Sequence, residues 1–157
     1  MKLFLLSSIS LTLFSLLFFG CSSSKPIKPR EKYSIYINKK KLHNLDFSKH
    51  DLVTKFINNS WYYIRKDGKA ISVMIGDNGK ADRFKEGLAR IKINGKIGFF
   101  NKTLDIVLKP IYDFAFPFYE GVSEVCIGCQ EIQDGDHTIL DGGEWKRIDR
   151  RGLILEE

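Results

Sequence analysis

Histidine, cysteine and proline are scarce in this chain of 157 residues, which contains 3, 3 and 4 of them. So few histidines and cysteines leave little material for a structural metal site. The chain is 43% hydrophobic and 28% charged, values that exclude a wholly disordered chain, a collagen and a multi-span membrane protein. It has no Gly-rich phosphate loop and no Ser/His/Asp triad in a recognisable context. Phenylalanine is abundant, with 12 residues, and the length predicts about one domain.

The N-terminus has the order of a secretory signal: Lys2, an apolar run from Leu3 to Phe19, and a small residue, Gly20, before Cys21. The Gly20-Cys21 junction resembles the lipobox of bacterial lipoproteins. That resemblance implies cleavage after residue 20 and acylation of Cys21, and two or more acyl chains make a stable anchor. We therefore expect a signal peptide over 1–20 and a lipoprotein of the bacterial cell envelope, with the membrane leaflet left open.

Residues 21–32 predict a flexible tether, because they are rich in serine, proline and basic residues and poor in apolar ones. Between Ser22 and Ser60 there are nine basic and three acidic residues, so this segment carries the net charge of +6. The run Lys39–Lys41 has no interleaved aromatic residues, which a nucleic-acid surface would offer. We expect no nucleic-acid partner, and lysines that are solvated or that touch anionic lipid headgroups.

Residues 33–60 predict one strand and one short helix. The alternation in Tyr33–Ile37 is typical of a strand. Four apolar residues between Lys49 and Asn58 fall at helical spacing after Ser48, a plausible N-cap, and so predict a short amphipathic helix; they are Leu52, Val53, Phe56 and Ile57.

From residue 61 onward the chain repeats itself. Phe84-Lys85-Glu86-Gly87 recurs 34 residues later as Phe118-Tyr119-Glu120-Gly121, and an alternating strand follows each copy. Asn94-Gly95 after the first strand is a strong hairpin signal. A two-residue turn there sets Ile91 opposite Gly98 and Ala89 opposite Phe100, so that each large residue meets a small one.

This pattern resembles the bacterial WG repeat, also called the KWG repeat. The first full copy is carried by Phe84–Ala89, Gly95-Lys96, Gly98-Phe99 and Pro110–Asp113, the second by Phe118–Gly121 and Gly143–Gly152, and the tail of a third by Trp61–Lys69. Ile97 stands where the repeat has tryptophan. The resemblance implies a mainly β domain of stacked hairpins over 61–157, with Trp61, Phe84, Phe118 and Trp145 as core residues. It also implies an interaction module without assigned catalytic residues.

Cys126-Ile127-Gly128-Cys129 is a CxxC motif whose role stays open. Once Cys21 is acylated, Cys126 and Cys129 are the remaining thiols, so they can form a structural disulfide or stay idle. A metal site needs about four ligands, and only His137 or an aspartate nearby could add to them. A redox site requires the motif at a helix N-terminus, which the strand pattern does not offer.

The second copy of the repeat carries an insertion. Gly87 precedes the return strand at Ile97 by ten residues, whereas Gly121 precedes Trp145 by twenty-four. We expect residues 130–144 to be an exposed loop, either a solvated loop tip or a site that binds a partner or a cation through its five acids. The segment has no Lys or Arg, and its acids are Glu131, Asp134, Asp136, Asp141 and Glu144.

These features favour a lipid-anchored envelope protein whose repeat domain binds an unidentified partner without catalysis or a cofactor. The alternative is a purely structural envelope protein without a specific ligand. A third hypothesis is an envelope hydrolase with paired carboxylates, either Glu120 with Glu124 or Asp134 with Asp136.

Replacing Cys21 with alanine tests the anchor. Because the signal is cut and the lipid is attached at the same cysteine, Cys21→Ala should abolish lipid labelling and signal cleavage together. Metabolic labelling with a fatty acid and the mass of the mature chain measure the two events. A variant that is still cut normally and still partitions into detergent would contradict the lipoprotein hypothesis.

Overall fold

The computed structural model of this chain describes residues 33–76 and 78–156. The predicted signal peptide (1–20), Cys21 and the tether (21–32) lie outside them. The described part is mainly β-sheet, with one short helix, which confirms the predicted fold class. Its elements are β1 (Ser34–Tyr36), α1 (Lys39–Leu42), β2 (Leu52–Ile57), β3 (Ser60–Arg65), β4 (Lys69–Val73), β5 (Leu88–Ile93), β6 (Lys96–Asn101), β7 (Ile106–Tyr112), β8 (Phe114–Ala115), β9 (Val122–Ile127), β10 (Gln130–Asp134), β11 (His137–Asp141) and β12 (Glu144–Asp149).

Three antiparallel units follow one another along the chain. The first unit is β2-β3-β4, with β1 on the outer edge of β4. The second unit is β5-β6-β7. The third unit is β9 and β12, with β8 on the free edge of β9 and a bridge from Ile148 to Ile154 on the other side. The strands of each unit are neighbours in sequence, apart from the two that are inserted between β9 and β12.

The hairpin of the second unit has the predicted register. Asn94 and Gly95 both have positive φ, 51° and 80°, as a two-residue hairpin turn of this type requires. Ile91 lies opposite Gly98, and Ala89 lies opposite Phe100. The prediction from the Asn-Gly signal is confirmed residue by residue.

The helix predicted over residues 49–58 is wrong. The residues from Leu52 to Ile57 form β2 instead, which pairs with β3 through a turn at Asn58 and Asn59, where φ is 47° and 63°. Asparagine tolerates this backbone conformation, and Val, Thr, Phe and Ile are strand formers that pack well against β3. The one short helix of this segment is α1, which lies earlier.

The second unit is buried on both faces because it lies between the other two. Its alternating side chains enter two hydrophobic clusters. Ile97 and Phe99 pack with the third unit against Val125 and Ile148. Ala89, Ile91 and Phe100 pack with the first unit against Ile71 and Val73, in a cluster that also holds Leu104.

An aromatic pair connects each unit to the next. Tyr63 on β3 packs against Phe84, and Phe99 at the equivalent position of β6 packs against Phe118, each with ring centroids 4.8 Å apart. Tilted and edge-on ring contacts add to the energy of burial. The two phenylalanines that the sequence identified by their repeat therefore hold the units together, as predicted.

A buried ion pair also contributes to the contact between units. Arg90 donates to both carboxylate oxygens of Asp82, at 2.9 and 3.1 Å, and both residues are less than a tenth exposed. The same guanidinium donates to the carbonyl of Ala115 in β8, at 3.0 Å. Arg90 thus connects the second unit to the third, with each of its three guanidinium nitrogens donating a hydrogen bond inside the protein.

Removing one member of this pair should be costly. Arg90→Met or Asp82→Leu alone should lower the free energy of unfolding by about 3 to 5 kcal/mol, because the other charge is left buried without a partner. The double variant should be more stable than either single variant. The exposed pair of Lys66 and Asp51, 3.0 Å apart, is the matched control, and its coupling in urea unfolding should stay below about 1 kcal/mol. A buried coupling no larger than the control would contradict this role.

Two glycines of the β5-β6-β7 sheet should respond differently to alanine. Gly95 has a φ of +80° and nothing within 4 Å of an added Cβ, so Gly95→Ala should cost about 1 kcal/mol. A Cβ on Gly98 would lie 2.5 Å from the Leu108 carbonyl oxygen, because β7 approaches closely there, so Gly98→Ala should cost about 3 kcal/mol. Urea unfolding measures both costs. An equal cost at the two positions would contradict the close approach of β6 and β7.

Candidate interaction surface

The insertion of the third unit is a β-hairpin, so the expectation of a loop is wrong. β10 and β11 pair from Gln130 opposite Asp141 to Asp134 opposite His137, around a turn at Gly135 and Asp136. Within the described residues these two strands pair only with each other. The sequence signals for this hairpin are the glycine at the turn and the β-branched residues on both sides of it.

The outer face of this inserted hairpin carries an exposed apolar pair. Ile132 and Ile139 lie directly opposite each other and are 40% and 42% exposed. Side chains alternate along a strand, so Glu131 and Leu140 lie on the opposite face. There Glu131 approaches Lys92 of β5 at 3.8 Å, which identifies that face as the one turned to the domain.

The base of the inserted hairpin is tightly packed. Cys126 and Cys129 are buried, their Cα atoms are 6.1 Å apart, and their sulfur atoms are in bonding contact. A Cα separation of this size fits a disulfide, which stays the prediction for these two residues. A Cβ on Gly143 would lie 2.4 Å from the Cys129 nitrogen, so only glycine fits at this position, directly before β12.

Asp113 also fixes this base. Its carboxylate accepts the N–H of Gly128 at 2.6 Å and is hydrogen-bonded to the ammonium of Lys96. The Lys96 hydrogen bond, with help from the Gly128 N–H, lowers the pKa of Asp113 below its usual value. The charged carboxylate of Asp113 therefore connects Lys96, next to the hairpin turn of the second unit, to Gly128, just before the insertion.

The five acidic residues of the predicted site do not converge on one point. Asp134 and Asp136 are at the tip, Asp141 is at the end of β11, and Glu144 pairs with Lys146 at 3.1 Å on β12. In residues 33–76 and 78–156, no group of three or more His, Cys, Asp or Glu side chains is arranged to hold a metal ion. The arrangement is instead an acidic surface spread along a projecting hairpin.

Trp145 is 43% exposed, so its predicted place in the core is wrong. Its ring lies 6.0 Å from Phe114 and 6.2 Å from Phe116, and Phe116 is also exposed. Trp61, by contrast, donates its indole N–H to the Gly79 carbonyl at 3.2 Å and so reaches toward the second unit. The two tryptophans stand in similar sequence patterns, so their different surroundings follow from the tertiary structure and not from local sequence.

The carboxylate pairs of the hydrolase hypothesis lie in different settings. Glu120 and Glu124 line one groove of about 540 Å³ beside Phe116, Tyr119 and Arg147. Asp134 and Asp136 stand on the exposed tip of the inserted hairpin. All four residues are exposed.

The fold and this surface define a β-hairpin repeat protein with an inserted hairpin. Residues 79–96 and 97–128 match the model of a family described as WG containing repeat. The matched residues span β5 to β9, and they include the motifs at Phe84–Ala89, Pro110–Asp113 and Phe118–Gly121. That part of the chain is therefore similar to WG repeats, as the resemblance implied. No curated protein and no solved structure matches the chain.

Antiparallel pairing continues on both sides of the matched residues. The first unit begins at Leu52, and the third continues through Trp145 to a single bridge between Ile148 and Ile154. The described residues contain no helix with the length and apolar character needed to cross a membrane.

Proposed function

We propose that this protein is a lipid-anchored protein of the bacterial cell envelope whose WG-repeat domain binds a partner through the inserted hairpin and has no catalytic role. The observation that carries this proposal is the exposed pair of Ile132 and Ile139 on a hairpin that contributes nothing to either hydrophobic cluster. An insertion without a packing role is where a repeat protein gains a binding function.

The anchor supports an envelope location. Gly20-Cys21 supplies an acylation site, and the serine- and proline-containing segment after it is long enough to hold a domain away from a membrane surface. The proposal needs the domain to project from the membrane, because the inserted hairpin lies in the third unit, at the far end of the chain from the anchor.

The inserted hairpin offers two kinds of contact. Both of its outer strand edges are without a partner strand among the described residues, so an extended segment can add to it through backbone hydrogen bonds. The isoleucine pair then supplies the apolar contact. A two-stranded hairpin is only marginally stable by itself, and the packed base at Cys126, Cys129 and Gly143 compensates for that.

Charge favours a basic partner. Residues 130–144 contain five acidic residues and no Lys or Arg, and only Glu131 and Glu144 make ion pairs with lysines in the described structure. Asp134, Asp136 and Asp141 are available to attract a basic segment of the partner. Such long-range attraction raises the rate of association more than the affinity.

Threonine substitutions test this surface. Ile132→Thr with Ile139→Thr keeps strand-forming side chains and removes the apolar pair, so the fold should persist while partner capture from envelope extract falls at least about tenfold. Capture is measured by quantitative mass spectrometry of proteins retained on the immobilised domain.

The matched control is Val107→Thr with Ile111→Thr on β7, where the side chains are 41% and 52% exposed. The control should capture the same proteins as the unchanged chain. If the hairpin variant and the control retain an identical set of proteins, the inserted hairpin is not the binding surface. If no protein is enriched by any of the three, the structural alternative is favoured.

A further inference from the structure

A cavity of about 780 Å³ opens between the first unit and the second. It is lined by residues that precede or begin β2, by β3 and the turn after it, by Phe84 before β5 and by the turn after β6; they include Lys49, His50, Tyr63, Lys66 and Lys102. Its volume is in the range of small-molecule sites in proteins. The inserted hairpin takes no part in it.

A break in the repeat leaves this space open. Between the second and third units, the Glu86 carboxylate accepts the Gly121 N–H at 3.0 and 3.1 Å and closes the junction. Leu52 is the first residue of β2, and Leu88 is the first residue of β5. Because Glu86 lies two residues before Leu88, the equivalent residue of the first unit is His50, two residues before Leu52. Among the described residues, His50 makes no hydrogen bond to the second unit, and the junction stays open.

The cavity has a surplus of positive charge. Arg65 is satisfied by Asp67 and by the Thr103 carbonyl, at 3.0 and 2.9 Å. Lys66 is paired with Asp51. Lys49 and Lys102 make no ion pair within the part of the chain that the structure describes, so two ammonium groups remain available at the rim.

The wall of the cavity is apolar. Tyr63 and Phe84 present half-buried rings, and Leu52 lies beside them. The Tyr63 hydroxyl donates to the Asp82 carbonyl at 3.0 Å, and burial raises the pKa of this phenol, so the ring is fixed and neutral. The site therefore combines the fixed ring of Tyr63 with the ammonium groups of Lys49 and Lys102.

We propose that this cavity binds a small phosphate-bearing ligand, with the phosphate held by Lys49 and Lys102 and the carbon skeleton lying on Tyr63 and Phe84. Lysine is a common phosphate ligand in proteins, and an aromatic wall suits the apolar face of a sugar or glycerol unit. The phosphate comes either from a sugar phosphate or from a phospholipid headgroup. This site is separate from the proposed partner surface and does not depend on it.

Calorimetry of the full chain in neutral detergent tests the proposal with three soluble probes: inorganic phosphate, glucose 6-phosphate and glycerophosphoglycerol. We expect saturable binding of at least one of the two organic phosphates, more tightly than inorganic phosphate. Lys49→Gln with Lys102→Gln should weaken that binding at least about tenfold. Preference for glucose 6-phosphate identifies a sugar phosphate, and preference for glycerophosphoglycerol identifies a lipid headgroup.

Lys55→Gln with Lys80→Gln is the control, because both lysines lie outside the cavity and the net charge changes equally. This control should bind as the unchanged chain does. Phe84→Leu, which keeps an apolar contact at the junction, should weaken the organic phosphates but not inorganic phosphate. The proposal is overturned if neither organic phosphate binds, or if the two double variants weaken binding equally.

Discussion

The contact of one aromatic ring with the next holds this domain together. A single three-stranded unit has too little covered surface to be stable, so each must bury a face against its neighbour. Tyr63 against Phe84 and Phe99 against Phe118 make that contact at equivalent positions. In the third unit the equivalent residue is Arg147, which is exposed, so no third aromatic contact of this kind is present in the described residues.

The segments that keep the repeat motif and the segments that lose it have different roles in the structure. Where the motif is kept, its residues serve packing and turn geometry: Glu86 and Glu120 both occupy turns with a φ of 49°, each followed by glycine. Where the motif is broken, the structure has surfaces that the regular repeat does not form. The first unit has Lys49 and His50 in place of the motif and gains a cavity, and the third unit has an insertion and gains a projecting hairpin.

Local sequence rules failed where tertiary contacts outweigh them. Leu104 has a φ of 60° at the turn position where the other units have Gly68 and Gly152, a strained conformation for leucine. Its side chain is completely buried between the first two units, and burial of a leucine is worth more than the strain costs. The residues of β2 fit a helical spacing equally well, and only pairing with β3 makes them a strand.

The sequence by itself determined the β class, the period of the repeat and the register at Asn94-Gly95, because alternation and turn chemistry act over a few residues. It also brought Cys126 and Cys129 within reach of each other by their spacing. The tertiary structure decided which tryptophan is covered, which face of the insertion looks outward, and where a cavity opens. These depend on the presence or absence of a neighbouring unit, and packing between units joins residues about 20 to 40 positions apart, beyond the reach of any local pattern.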